Sequence, residues 1–229
     1  MERLHGIKAV LLDIDNTLLD FQACSRLSME KALVECGLPF DESMVAVFHR
    51  VNDGLWSQIE QGTLTREELH RVRWSLVLDE LHIQGDGPAV ETRFLEHLAI
   101  DAVPIDGAYD LLKYLSSKYV VCIASNAPYE QQLRRLSGAD MLRYFHKQFI
   151  SERMGVAKPG KAYFDACFSE LSPIKPQECI IIGDSVTADI RGGREYGLYT
   201  CWYDHKGTGE CCTESDYTVH TLLQIMDII

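Results

Sequence analysis

Three short apolar runs, each broken off by a polar cluster, constrain this chain more than any other feature. Ile7 to Leu12 ends in Asp13-Ile14-Asp15-Asn16-Thr17, Tyr119 to Ala124 ends in Ser125-Asn126, and Cys179 to Ile182 ends in Gly183-Asp184-Ser185. An apolar run of about four to eight residues reads as a strand buried on both faces. Gln148 to Ile150 and Tyr199 to Tyr203 read as two further strands. Between the runs lie helical patterns at Ala108–Ser117, Tyr129–Ser137, Lys161–Glu170 and Thr187–Tyr196, bounded by Gly, Pro or capping residues. Strands alternating with helices predict an α/β fold, a doubly wound, Rossmann-like parallel sheet. In such a sheet the ligand site lies beyond the carboxyl ends of the strands, so the three polar clusters are expected to meet.

Residues 21–100 interrupt the alternation. They contain no strand pattern, but four amphipathic stretches, roughly Gln22–Cys36, Glu42–Gln61, Arg66–Leu81 and Ala89–Leu98. The expectation is an all-helical cap domain at 21–100, packed over the first polar loop and inserted into a core domain made of 1–20 and 101–229. A length of 229 residues suits one large core with a moderate insertion.

Composition removes several function classes. No apolar run reaches the roughly 18 residues of a membrane span, and MERLHGIKAV lacks the apolar stretch of a signal peptide, so a cytoplasmic protein is expected. A net charge of −12 argues against nucleic-acid polymers, whose binding rests on Lys and Arg. It leaves room for a small anionic substrate, which feels the local field of its pocket. The eight cysteines show no CxxC and no zinc spacing and read as reduced structural thiols, with the vicinal pair Cys211-Cys212 set in a polar loop, Thr208–Asp216, before a final short strand and helix. The eight histidines lie outside the polar clusters and read as surface or packing residues.

The clusters themselves carry chemistry. Asp13 and Asp15, where the first strand gives out, can divide one reaction between them: Asp13 attacks as nucleophile, and Asp15 donates a proton to the leaving oxygen and later takes one from water. Asp184, with Asp189 behind it, projects toward the same crevice. Carboxylates about 4 Å apart repel by about 4 kcal/mol at an effective dielectric near 20, so the gathering calls for a cation. With only oxygen ligands on offer, Mg²⁺ is the natural choice. Ser185 also reads as an N-cap of the following helix. Ser125 and Asn126 can hold a phosphate oxygen, and Lys158, restrained by Pro159, can neutralise charge on nucleophile and phosphoryl group.

Taken in order, DIDNT with its strand, the apolar run into Ser125, Lys158 before proline, and GDSVTAD resemble the haloacid dehalogenase superfamily over nearly the whole chain. The resemblance implies Asp13 as nucleophile, Asp15 as general acid/base, and Ser125 and Lys158 as phosphoryl ligands. It also implies Asp184 as a metal ligand beside Asp13 and the backbone carbonyl of Asp15, with Asp189 binding directly or through water, and Thr17 orienting the nucleophile's loop. The helical insertion looks like the family's C1-type cap, which closes over substrate. Dehalogenating members lack an acid at the position of Asp15, so its presence favours phosphoryl chemistry.

Within the superfamily, Asn52-Asp53-Gly54-Leu55-Trp56, Gln61-Gly62-Thr63-Leu64-Thr65, Arg71-Val72-Arg73-Trp74, GVAKP and TCWY resemble bacterial nucleotidases that act on pyrimidine 5′-monophosphates. Trp56 or Phe21 could then stack on a base and Asn52 or another polar residue of the insertion read its edge, although helix packing is the favoured reading of Trp56 and Trp74, since aromatic residues at helical spacing are mostly core. The expected reaction is Mg²⁺-dependent hydrolysis of a small phosphomonoester. A sugar-phosphate or phosphoglycolate-type phosphatase and a phosphomutase are the alternatives. Asn16 and Ala127 depart from the family's usual acid and glycine.

Overall fold

The apolar runs form strands, and all of them pair in parallel: Ala9–Leu12 (β1), Val120–Ser125 (β2), Lys147–Ile150 (β3), Cys179–Gly183 (β4), Tyr199–Tyr203 (β5) and Tyr217–Val219 (β6). The computed structural model describes residues 3–209 and 211–229, and the sequence readings that touch Met1, Glu2 or Glu210 lie outside the described residues. The strand order is β3-β2-β1-β4-β5-β6, with β1 inside the sheet. It is the doubly wound arrangement expected from the alternating pattern.

Helices follow in chain order: Phe21–Glu35 (α1), Ser43–Glu60 (α2), Arg66–Glu80 (α3), Gly87–Leu98 (α4), Ala108–Ser116 (α5), Tyr129–Gly138 (α6), Ser151–Met154 (α7), Lys161–Leu171 (α8), Gly192–Tyr196 (α9) and Ile225–Ile228 (α10). Chain contacts divide them between two units, Met1–Asp20 with Ala102–Ile229, and Phe21–Asp101.

In the first unit the strands are buried on both faces. Val10, Leu12, Val121, Ile123, Ile180 and Ile182 meet Leu111, Leu112 and Leu115 of α5 and Ile225 and Ile228 of α10. Ala9, Leu11, Cys122, Ala124 and Ile181 meet Tyr163, Phe164, Cys167 and Leu171 of α8 on the other face. Alternate residues of one strand thus serve opposite layers, and each fully buried aliphatic side chain contributes about 1.5–3 kcal/mol. All eight cysteines are free. Burial pushes the Cys122 and Cys179 thiols up to about 12, so they pack as small hydrophobes.

The second unit is α1–α4. Phe48 of α2, Trp74 of α3 and Phe94 of α4 form its aromatic centre, with ring centroids 5.0 to 5.6 Å apart. Arg73 is buried against them, its guanidinium carbon 4.8 Å from the Phe94 centroid. It forks onto Glu91 through Nη2 at 2.6 Å and Nε at 3.2 Å, and donates to Asn52 Oδ1 at 2.9 Å. A capping box at Thr65 starts α3, and Asp86 caps α4. A Cβ on Gly87 would stand 2.6 Å from the Ser75 backbone nitrogen, so glycine sets how closely α4 approaches α3. Trp74 is therefore a packing residue. Asn52, read in the sequence as a candidate base reader, is 3% exposed with its carbonyl oxygen committed to Arg73, while Phe21 and Trp56 are half-buried. No helix among the described residues is long and apolar enough to cross a membrane.

Candidate active site

Sheet register assembles the site. Leu12 of β1 lies opposite Ile123 of β2 on one side and Ile182 of β4 on the other. Asp13 extends the ladder by donating its N–H to Ile182 O at 3.0 Å, and β2 and β4 end on Ser125 and Gly183. The three polar clusters are thereby brought to neighbouring strand ends. Beyond Asp13 the chain turns at once, because Ile14 O accepts from the N–H groups of Thr17, Leu18 and Leu19 at 2.8 to 3.2 Å. Asn16 takes φ 57° in this turn, a left-handed conformation that asparagine tolerates better than most residues. Thr17 is fully buried in it, with no hydrogen-bond partner for its hydroxyl among the described residues.

Lys158 is the cation of the site. Its Nζ donates to Asp13 Oδ1 at 2.8 Å, to Asp189 Oδ1 at 2.6 Å and to the carbonyl of Ala124, with 3% of the residue exposed. Burial works against its charge, but the Asp13 and Asp189 carboxylates outweigh burial and hold it above the ordinary lysine value. Asn126 does not project a free amide as the sequence reading supposed. Its Nδ2 donates to Lys158 O at 2.9 Å, and its Oδ1 accepts from Lys158 N at 3.0 Å, so it anchors the lysine's backbone. Ser125 is buried, its hydroxyl oxygen accepting from Ala127 N and Gln132 Nε2, each at 3.2 Å.

Asp13, Asp184 and Asp189 place carboxylate oxygens within 4.8 Å of one another. Burial pushes Asp13 up to about 7, with Lys158 opposing and Asp189 adding to the rise. Asp184 is raised well above the carboxylate range by burial first and by Asp13 next. One ammonium faces three carboxylates, so the fully ionised cluster keeps an excess of negative charge. The donor set is carboxylate oxygen throughout, and such a set fits a hard divalent cation. The side chain of Asp15 stands outside this cluster.

The helix expected over Thr187–Tyr196 is divided. Val186–Arg191 forms a π-helical turn before α9, and such turns often occur at functional sites. Ser185 is its N-cap, accepting from Ala188 N at 3.0 Å, while Asp189 Oδ2 accepts from Ser185 N at 3.2 Å. A Cβ on Gly183 would come 2.2 Å from Asp189 Oδ2, so only glycine leaves room for the Asp189 carboxylate. Trp202 Nε1 donates to the carbonyl of Asp184 at 2.8 Å. His205 Nδ1 lies 3.5 Å from Asp184 Oδ2, so this histidine, read in the sequence as a surface or packing residue, stands beside the carboxylate cluster.

Asp15 is turned toward α6. Arg135 Nη1 donates to its Oδ1 at 2.5 Å and Gln132 Nε2 to its Oδ2 at 2.6 Å.

A strand-end aspartate held by a lysine, with a second acidic strand end beside it, is the constellation that the motif order anticipated. The sequence profile of the haloacid dehalogenase-like hydrolases matches residues 7–197. The chain belongs to this family. Among its relatives, the HAD-hydrolase YfnB of Bacillus subtilis is 35% identical over 85% of this chain and 83% of its own. A structure of YfnB bound to magnesium matches with a TM-score of 0.90 at 32% identity, covering 99% of this chain and 98% of that one. The pyrimidine 5′-nucleotidase PynA of Streptococcus pneumoniae is 29% identical over 97% of this chain and 94% of its own. YjjG of Escherichia coli, also a pyrimidine 5′-nucleotidase, is 27% identical over 84% of each chain.

In this haloacid dehalogenase-like hydrolase, sequence reasoning missed Gln132, Arg135, Trp202 and His205. A signal for the first two existed. The buried face of α6 is Gln132, Arg135 and Leu136, at the i, i+3, i+4 spacing where apolar residues belong. Two polar residues in an apolar stripe point to a buried partner.

Proposed function

We propose that this hydrolase is a Mg²⁺-dependent phosphatase of small phosphomonoesters, with pyrimidine nucleoside 5′-monophosphates as its preferred substrates. The observation that carries the reading is Asp13 at a strand end, its Oδ1 fixed by Lys158 at 2.8 Å, with Asp15 two residues on. In the first half-reaction an Asp13 oxygen forms a bond to phosphorus, the bond to the leaving oxygen breaks, and Asp15 gives that oxygen its proton. In the second, water attacks the aspartyl-phosphate, Asp15 takes the water's proton, and phosphate departs to restore Asp13. Lys158 and the Ser125 hydroxyl hold the phosphoryl oxygens, and Asn126 keeps Lys158 in register. Thr17 belongs to the turn that carries both acids. Asp13, Asp184, Asp189 and the carbonyl of Asp15 would hold Mg²⁺, which neutralises charge on the transferring group. The helical unit Phe21–Asp101 is, in this reading, the part of the chain that selects the leaving group.

The preference for pyrimidine nucleotides is supported by similarity to PynA along nearly the full length of both chains. The test is phosphate release, with and without Mg²⁺, from nucleoside monophosphates, sugar phosphates and phosphoglycolate, comparing wild type with Asp13→Asn. Metal-dependent turnover peaking on UMP, dUMP or dTMP and lost in the variant is expected. A peak on sugar phosphates would retain the chemistry and discard the nucleotide preference. Phosphate release well below substrate consumed would indicate a mutase.

A further inference from the structure

Both oxygens of Asp15 are engaged by one helix. Arg135 and Gln132 stand one turn apart on α6, are fully buried, and are tied to each other through Arg135 Nη1 and Gln132 Oε1 at 3.2 Å. Gln132 Nε2 reaches Ser125 Oγ at 3.2 Å as well as Asp15 Oδ2 at 2.6 Å, so one amide bridges the acid and the hydroxyl at the end of β2. A buried guanidinium is costly without an anion, and Asp15, whose side chain is 27% exposed, is the anion it faces. A carboxylate offers about four lone-pair positions. Two are taken on the α6 side, and the others remain for the reacting oxygen.

We propose that Arg135 and Gln132 are positioning residues of the reaction, fixing the rotamer of Asp15 so that its free lone pairs face the leaving oxygen. The proton that Asp15 takes from water in one turnover sits on an outward oxygen lone pair; as the bond from phosphorus to the leaving oxygen breaks in the next, that proton moves to the leaving oxygen, and the resulting carboxylate settles onto donors already in place. The inference rests on the reading of Asp15 as proton donor, and it adds what aims that donor.

The test compares kcat/KM, which covers the steps through leaving-group loss, for two esters. One is 4-nitrophenyl phosphate, whose phenolate departs without a proton. The other is the best alkyl monophosphate of the panel above, whose alkoxide needs one. Gln132→Leu and Arg135→Met are expected to lower the ratio of the alkyl to the aryl value about 10- to 100-fold, within the range of a general acid's contribution, over and above any loss that Gln132→Leu imposes on both esters through Ser125, with partial recovery in Arg135→Lys. Gln132→Leu conserves volume and decides the matter if Arg135→Met fails to fold. Equal losses on both esters in these variants, with Asp15→Asn still alkyl-selective, would overturn the inference and leave the proton donor standing. Equal losses in Asp15→Asn itself would remove the proton-donor reading, and the inference with it.

Discussion

Asn126 grips the backbone of Lys158 with both ends of its side-chain amide, donating to the lysine's carbonyl and accepting from its N–H at 2.9 and 3.0 Å. The pairing joins the loop after β2 to the loop carrying the lysine, across 32 positions of sequence. Asn126→Ala removes both bonds, each worth about 0.5–1.5 kcal/mol. The expected result is about 1–3 kcal/mol lost in urea unfolding, with kcat falling more than the stability change alone explains, because the ammonium of Lys158 loses its placement.

Lys158→Met should act through charge. It leaves Asp13 and Asp189 buried without their cation, a loss of the kind that costs about 3–5 kcal/mol. Thermal melting in EDTA will show the full cost. Added Mg²⁺ should raise the melting temperature of the variant more than that of wild type, because the cation then supplies the missing positive charge. An equal rise in both proteins would contradict a cation among these carboxylates.

Gly183→Ala tests the close approach at the end of β4. The added methyl has no room beside Asp189, whose Oδ2 lies 2.2 Å from where the Cβ would stand. We expect Mg²⁺ affinity, followed by melting temperature against metal concentration, to weaken by about tenfold or more, the scale seen when metal-orienting contacts are lost. Gly138→Ala, on a glycine with open space around it, is the matched control and should be silent.

Metal-free stability should depend on pH through Asp13. Its value in the fold is about 7 against an ordinary 3.8, so the native state binds this proton more tightly than the unfolded chain. The contribution is fully present below about pH 4 and is lost as pH rises through about 7. In EDTA, the melting temperature of wild type relative to Asp13→Asn should therefore increase as pH falls from about 8 to about 5. Saturating Mg²⁺ should flatten that difference by favouring the ionised carboxylate.

In the helical unit, Arg73→Met is expected to leave Glu91, which accepts from Arg73 through both carboxylate oxygens and is 4% exposed, with His70 Nδ1 at 2.8 Å as its remaining side-chain partner. The loss is expected to stay below the about 3–5 kcal/mol of a fully unpaired buried charge, because the His70 contact remains. Joint replacement of Arg73 and Glu91 by apolar residues of similar volume should recover most of it, measured by chemical denaturation of wild type, the two single variants and the double variant.

The sheet was legible because strands buried on both faces need near-continuous apolar runs, and Ala9–Leu12 and Cys179–Gly183 have little else. Asp13 and Asp184 were legible because polar side chains at such strand ends have few structural duties, whereas Lys158, in the loop between α7 and α8, was read from its place before Pro159 and from the motif order. What stayed hidden depended on direction. Asn126 looks like any loop amide until the chain brings Lys158 back beneath it, and Arg135 looks like any surface arginine until α6 turns it inward. The π turn at Val186–Arg191 answers to the fit of Asp189 beside Gly183, a distance constraint that helix propensity does not encode.

The position of β1 inside the sheet governs how the chain can be made. Its partners β2 and β4 begin at Val120 and Cys179, so this strand leaves the ribosome well before either of its edges can be covered. Exposed strand edges are the surfaces that aggregate. Phe21–Asp101, in contrast, is one uninterrupted segment that can fold as soon as it emerges. Synthesis therefore releases the whole helical segment behind an unpaired strand, and the nascent chain gains its carboxylate cluster only when Asp184 and Asp189 arrive.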